Sequence, residues 1–261
     1  MRLLESDPAL GANYWGGLKL DEELNIDRIQ RRLKEHADES FRAYTAKLVP
    51  TVPLERIIGV RAPDIKALTL ELSREEYDDL RLTFGRGLPH FYYEENMMHA
   101  YMLLDCNDPE QFTPFMRLIE DFLPHIDNWA VCDALNPKMF ALHPKGLEEK
   151  IAEWLRAEHA YTIRFGLSML MKHYLDEYFD EEHFQWVMDV ASSDYYVQTM
   201  EAWYFATALA KRYDQTVPLL EDEMLEPTVH SMTIQKAVTS QRIPYERKKY
   251  LRTLKLSSTK E

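Results

Sequence analysis

The sequence predicts an all-α protein whose short helices stack in pairs, about six of them, as a curved solenoid. Glycine is scarce, at 8 of 261 residues, while Leu, Ala, Glu, Lys and Met abound; these side chains lose little rotamer freedom in a helix, whereas Gly adds backbone entropy cost. Breaks carrying Pro or Asp recur along the chain, so the helices are short and many. A small residue recurs at a nearly constant interval, which is how a stack of equivalent helix pairs shows itself in a sequence.

Taken in order, residues 1–20 contain Pro8, Gly11, Gly16 and Gly17 and read as a loosely ordered lead-in, with Asp21 a candidate N-cap for the first helix. Helix boundaries follow at Val49-Pro50-Thr51-Val52-Pro53, Cys106-Asn107-Asp108-Pro109, Leu142-His143-Pro144, Ser192-Ser193-Asp194 and Glu226-Pro227. Pro disfavours helix at the residue before it and suits the first helical turn. The small residues are Ala67, Ala100, Ala134, Gly166, Ala202 and Ala237, at intervals of 33, 34, 32, 36 and 35. That period is close to tetratricopeptide and somewhat short for HEAT repeats, both stacked helix pairs. A small residue lets a neighbouring helix approach closely, so the series predicts equivalent inner helices side by side. The expected organisation is a single repeat domain over 21–255, with 256–261 as a tail.

Composition narrows the function classes. At 46% hydrophobic residues the chain can build a core. Its first 20 residues lack a continuous apolar run, so neither a signal peptide nor a membrane span is expected. Neither Cys106 nor Cys132 lies in a Cys-x-x-Cys pair, which suits a reducing cytoplasm and gives no zinc or redox motif. No metal is expected: there is no His-Glu-x-x-His, and His90, His99 and His125 are too scattered to assign as ligands. No cofactor is expected either, because Gly16-Gly17 lacks the Lys-Ser or Lys-Thr of a phosphate loop. Gly-x-Ser-x-Gly is also absent.

The net charge of -13 by itself opposes nucleic-acid binding, but its distribution is uneven. From Lys236 to Glu261 eight basic residues, among them Lys236, Arg242, Arg247 and Lys248, face two acids, while the preceding 235 residues carry -19. The basic end is either a phosphate contact or a solvated tail helix.

One stretch carries chemistry: Asp127-Asn128-Trp129-Ala130-Val131-Cys132-Asp133. Trp129 and Asp133 are four apart and share one face of a helix, capped by Asn128 or Asp127. In the repeat register Asp133 sits one residue before Ala134, Arg164 two before Gly166 and Trp203 one after Ala202. Stacked inner helices would bring a carboxylate, a guanidinium and two indoles to one surface, a set suited to a cationic sugar intermediate and its phosphate. A structural Arg164–Asp133 ion pair is the alternative.

These residues, with Gly59-Val60-Arg61-Ala62-Pro63-Asp64, Ile163-Arg164-Phe165, Tyr195-Tyr196 through Glu201-Ala202-Trp203, Ile234-Gln235-Lys236-Ala237, Arg242-Ile243 and Leu251-Arg252-Thr253-Leu254-Lys255, resemble the AlkD-type DNA alkylation repair glycosylases over roughly 22–255. The resemblance implies a HEAT-like solenoid that excises cationic N3- or N7-alkylpurines from duplex DNA without flipping the base. It implies Trp129, Asp133, Arg164 and Trp203 as the catalytic set and Tyr44 as a duplex contact, and a monomer in the cytoplasm. A catalytically inactive solenoid that binds DNA structures or a protein partner is the second reading.

Overall fold

A computed structural model of the protein describes residues 26–72, 74, 84–104 and 109–256. The expected lead-in, the Asp21 cap, Cys106 and the tail from 257 onward lie outside them. Among the described residues every regular element is helical. Contacts cluster into two units, Met1–Met139 and Phe140–Glu261.

The first unit contains α1 (26–35), α2 (Glu39–Leu48), α3 (Ala62–Leu72), α4 (Tyr93–Leu103), α5 (Phe112–Phe122) and α6 (Trp129–Ala134). Helix α3 packs on α4 and α4 on α6, forming a row of three. Helix α5 shows the expected pattern of a helix with one buried face: Phe115, Met116, Ile119 and Phe122 are buried, at the i, i+1, i+4, i+7 spacing of a 3.6-residue turn. Each such burial contributes about 1.5–3 kcal/mol.

The loop before α3 is held by a buried acid. Glu94, in the first turn of α4, accepts the backbone N–H groups of Ile58, Gly59 and Val60 at 2.9, 2.7 and 3.2 Å. Burial pushes its carboxyl group up, and the three backbone donors oppose that shift. Gly59 has φ +94°, and a Cβ there would lie 2.5 Å from the Asp38 carbonyl oxygen and 2.7 Å from the Arg42 Cβ. Gly59→Ala is therefore expected to cost about 1–3 kcal/mol from the left-handed backbone alone, plus the displacement of α2, read as a lowered urea midpoint. Arg61 completes the corner by pairing with Asp38 at 2.9 Å, the residue whose carboxylate caps α2 at the Phe41 N–H. The Gly59-Val60-Arg61 motif is thus architectural.

The second unit contains α7 (Pro144–Trp154), α8 (Ala160–His173), α9 (Glu182–Met188), α10 (Tyr195–Lys211), α11 (Tyr213–Glu221), α12 (Pro227–Thr239) and α13 (Tyr245–Thr253). Its caps are those the breaks predict: Pro144 and Pro227 in the first turn of α7 and α12, Asp194 on the Tyr196 and Val197 N–H groups, Glu226 on those of Thr228 and Val229. Helices α8, α10 and α12 lie side by side, with α7 on α8, α11 on α10 and α13 on α12. Helix α8 is buried continuously from Tyr161 to Met171, the mark of an inner helix covered on all sides.

The small-residue series is correct about which helices form rows and only partly correct about why. Ala67, Ala100 and Ala134 fall on α3, α4 and α6, and Gly166, Ala202 and Ala237 on α8, α10 and α12. Ala100, Ala202 and Ala237 are fully buried, and a Cβ on Gly166 would sit 3.2 Å from Trp154 and Leu155 of α7 and its cap. Ala67 is exposed and Ala134 half-buried, so no close approach depends on their size.

The histidine reading needs correction. His90 and His99 are not scattered: His90 Nε2 and His99 Nδ1 are 2.8 Å apart in the core. His90 stacks on Phe84 at 4.3 Å between centroids and His99 on Phe122 at 4.1 Å. Burial lowers both pKa values, His90 to about 4. Because the unfolded histidines bind protons near pH 6.5 and the folded ones resist them, the pair's stabilising contribution is present above pH 6.5 and is lost as pH falls toward 4. His99→Phe retains an aromatic stack and removes one resisting group. Its urea midpoint is expected to trail the wild type at pH 7.5 and to close on it, or pass it, by pH 5.

Candidate active site and nucleic-acid surface

In the first unit the site grows from the start of α6. Asn128 is fully buried and caps the helix by accepting the Val131 N–H at 3.0 Å. Its amide donates to Asp127 at 3.0 Å, and Asp127 is paired with Arg56 at 2.7 Å, whose Nε also donates to the Phe91 carbonyl. Asn128 is therefore the cap and Asp127 the anchor. Val131 and Cys132 plug the helix into the core, which leaves Trp129 and Asp133 half-buried and, four residues apart, on one face.

Trp129 is fixed twice. Its indole packs beside the Val49, Val52 and Ile57 cluster, and its Nε1 donates to the Leu48 carbonyl at 2.8 Å. That carbonyl is one of those left without an intrahelical partner at the C-terminal end of α2. Tyr44 is 55% exposed, one turn earlier on the same face of α2 as Leu48, so the proposed duplex-contacting tyrosine and the Trp129 anchor belong to one helix end.

In the second unit Arg164 is only 4% exposed. Its Nη1 donates to the Tyr196 carbonyl at 2.7 Å, tying α8 to the first turn of α10. Arg164 is thus a buried guanidinium with one donor committed to the backbone of α10, where the sequence suggests an open phosphate grip. Trp203 on α10 is 42% exposed. Tyr195, 60% exposed, lies two turns before it at the i, i+8 spacing, with Thr199 between them. Tyr195 was legible only as part of a motif; the spacing that makes it a neighbour of Trp203 on an open helix face was the signal available for it.

The basic residues gather on the last two helices. Lys236 is half-buried on α12, Arg242 is exposed in the following turn, and α13 carries Arg247, Lys248, Lys249 and Arg252. The Arg247 guanidinium lies 4.0 Å from the Tyr213 ring centroid, so part of its role is to hold α13 against α11. Tyr245 adds an exposed ring in the first turn of this basic helix. Among the described residues no three His, Cys, Asp or Glu side chains are grouped to hold a metal ion, and no helix is long and apolar enough to cross a membrane.

A sequence model of the DNA alkylation repair enzyme family matches residues 29–217. The chain belongs to that family. The match contains Tyr44, Trp129, Asp133, Arg164 and Trp203, and it runs across the division between the two units at Met139. Membership gives the protein a role in DNA alkylation repair, as an enzyme with DNA as its substrate. A search of curated proteins finds no match.

Proposed function

We propose that this family member is a monofunctional glycosylase that releases cationic N3- or N7-alkylpurines from duplex DNA, working as a cytoplasmic monomer through one HEAT-like repeat domain over 21–255. Within each unit a row of three helices packed side by side supports a repeat arrangement. The observation that carries the reading is on α6: a half-buried carboxylate, Asp133, one turn from an indole clamped by the Leu48 carbonyl.

The chemistry follows from the substrate's charge. An alkylated purine with a formal positive charge leaves with the electron pair of its glycosidic bond as a neutral base, so no general acid is required. The positive charge then develops on the deoxyribose, where a fixed carboxylate stabilises it more effectively than mobile water does. Asp133 takes this role and orients the water whose oxygen bonds to the anomeric carbon; the water's proton passes to the carboxylate and on to solvent. Trp129 and Trp203 offer indole faces to the cationic sugar, and Arg164 the flanking phosphate a charged donor. Tyr44, Lys236, Arg242, Arg247 and Lys248 contact the backbone. Because the groups act on sugar and phosphate, the base need not leave the stack, unlike the common route of base flipping.

Release of 7-methylguanine from methylated duplex at low salt, followed by chromatography of the free base, tests the reading. Binding of the duplex without any release would instead favour a non-catalytic DNA-binding scaffold.

A further inference from the structure

The second unit holds a cavity of about 250 Å³ between the end of α9, the connection after it, α10 and the start of α12. Its walls are apolar: Val187, Val190, Phe205, Leu225 and Val229 line it. Two carboxylates share it. Glu226 stands exposed at the rim, its Oε2 accepting the Thr228 and Val229 N–H groups at 2.9 and 3.0 Å. Glu201, only 5% exposed, lies deeper and has no hydrogen-bond or ion-pair partner among the described residues.

An unpartnered buried carboxylate is costly, and a second acid beside it adds repulsion. What would relieve both is a cation whose remaining surface is apolar. We propose that this cavity binds a primary ammonium group on a short apolar chain, its nitrogen between Glu201 and Glu226 and its methylenes against Val187, Phe205 and Val229. An ammonium carries three donors and no acceptor, which suits two carboxylates approaching from different helices. A divalent ion is a poorer fit, since it requires six or more oxygen ligands or retained waters and no third acid joins the pair among the described residues.

The site stands apart from the repair reading. Glu201 and Trp203 are two residues apart on α10, which places them about 200° apart around the helix. Binding should also be linked to protons. Burial and the nearby Glu226 raise Glu201 to about 8, and the ammonium requires its ionised form. Below pH 8 binding therefore expels a proton, and affinity rises up to about tenfold per pH unit before flattening above it.

Calorimetric titration of the full chain with n-butylammonium and with Nα-acetyl-lysine methylamide, at pH 6.5 and 8.5 and with n-butanol as the neutral control, tests this. At least one ammonium probe is expected to bind, about tenfold or more tighter at the higher pH, and n-butanol not to. Tighter binding of the lysine derivative points to a side chain of a protein partner, and tighter butylammonium binding to a free amine; both carry the proposed chemistry. Glu201→Gln, the neutral isostere of the protonated acid, is expected to abolish binding while leaving release of 7-methylguanine unchanged. Ala191→Phe, at the exposed rim, is expected to block entry without touching the acids. The proposal fails if neither ammonium binds at pH 8.5, if n-butanol binds equally, or if Glu201→Gln binds as the wild type does.

Discussion

Asp133→Asn is expected to lower the rate of 7-methylguanine release by about 10²- to 10³-fold, the usual effect of removing one preorganised electrostatic group from a transition state. Duplex affinity should stay within a factor of about two, because Asp133 contributes to charge that exists only as the glycosidic bond opens. The substitution is nearly isosteric, and α6 is capped by Asn128 and anchored by Val131 and Cys132. Single-turnover release and equilibrium binding, measured on the same methylated duplex, separate the two effects. A parallel fall in both would show that Asp133 shapes the binding surface. An unchanged release rate would remove it from the chemistry altogether. Trp129→Phe is the informative companion, since it keeps a smaller aromatic face and removes the Nε1 donor to Leu48.

The largest stability effect is expected far from any functional motif. Glu94→Ala leaves the N–H groups of Ile58, Gly59 and Val60 buried without acceptors. A buried unsatisfied donor costs about 1–3 kcal/mol, so three of them, less the relief of no longer burying a carboxylate, should cost about 3–5 kcal/mol. That is a large part of the stability of an ordinary domain. Urea unfolding followed by circular dichroism would show it, and the loss should exceed that of Gly59→Ala, which disturbs the same corner but leaves all three bonds in place. If Glu94→Ala were nearly neutral, water would have to reach the loop and replace the carboxylate.

Local rules were legible because they involve neighbours in sequence. Pro144, Pro227, Asp194 and Asn128 start helices through contacts within three residues of themselves. The spacing from Ala67 to Ala237 picked out the helices that form the two rows. It misjudged Ala67, since a small side chain has the same letter whether a neighbour approaches it or solvent does. His90 and His99 looked unrelated for the opposite reason: nine residues apart, they meet only because the turn before α4 brings His90 back onto that helix. The fixing of Trp129 by a carbonyl 81 residues earlier had no sequence signal at all.

By itself, then, the sequence determined the helical class, several helix starts and the Trp129–Asp133 pair on one helix face. All of these follow from short-range spacing and backbone preference. Only the tertiary structure decided which side chains are fixed and which are open: Arg164 tied to Tyr196, Tyr195 and Trp203 exposed along α10, Glu94 turned inward to hold a loop, and Glu201 left over a cavity without a partner among the described residues. Burial depends on what long-range packing brings alongside a residue, and it is burial that turns an ordinary glutamate into either a structural acceptor or a binding group.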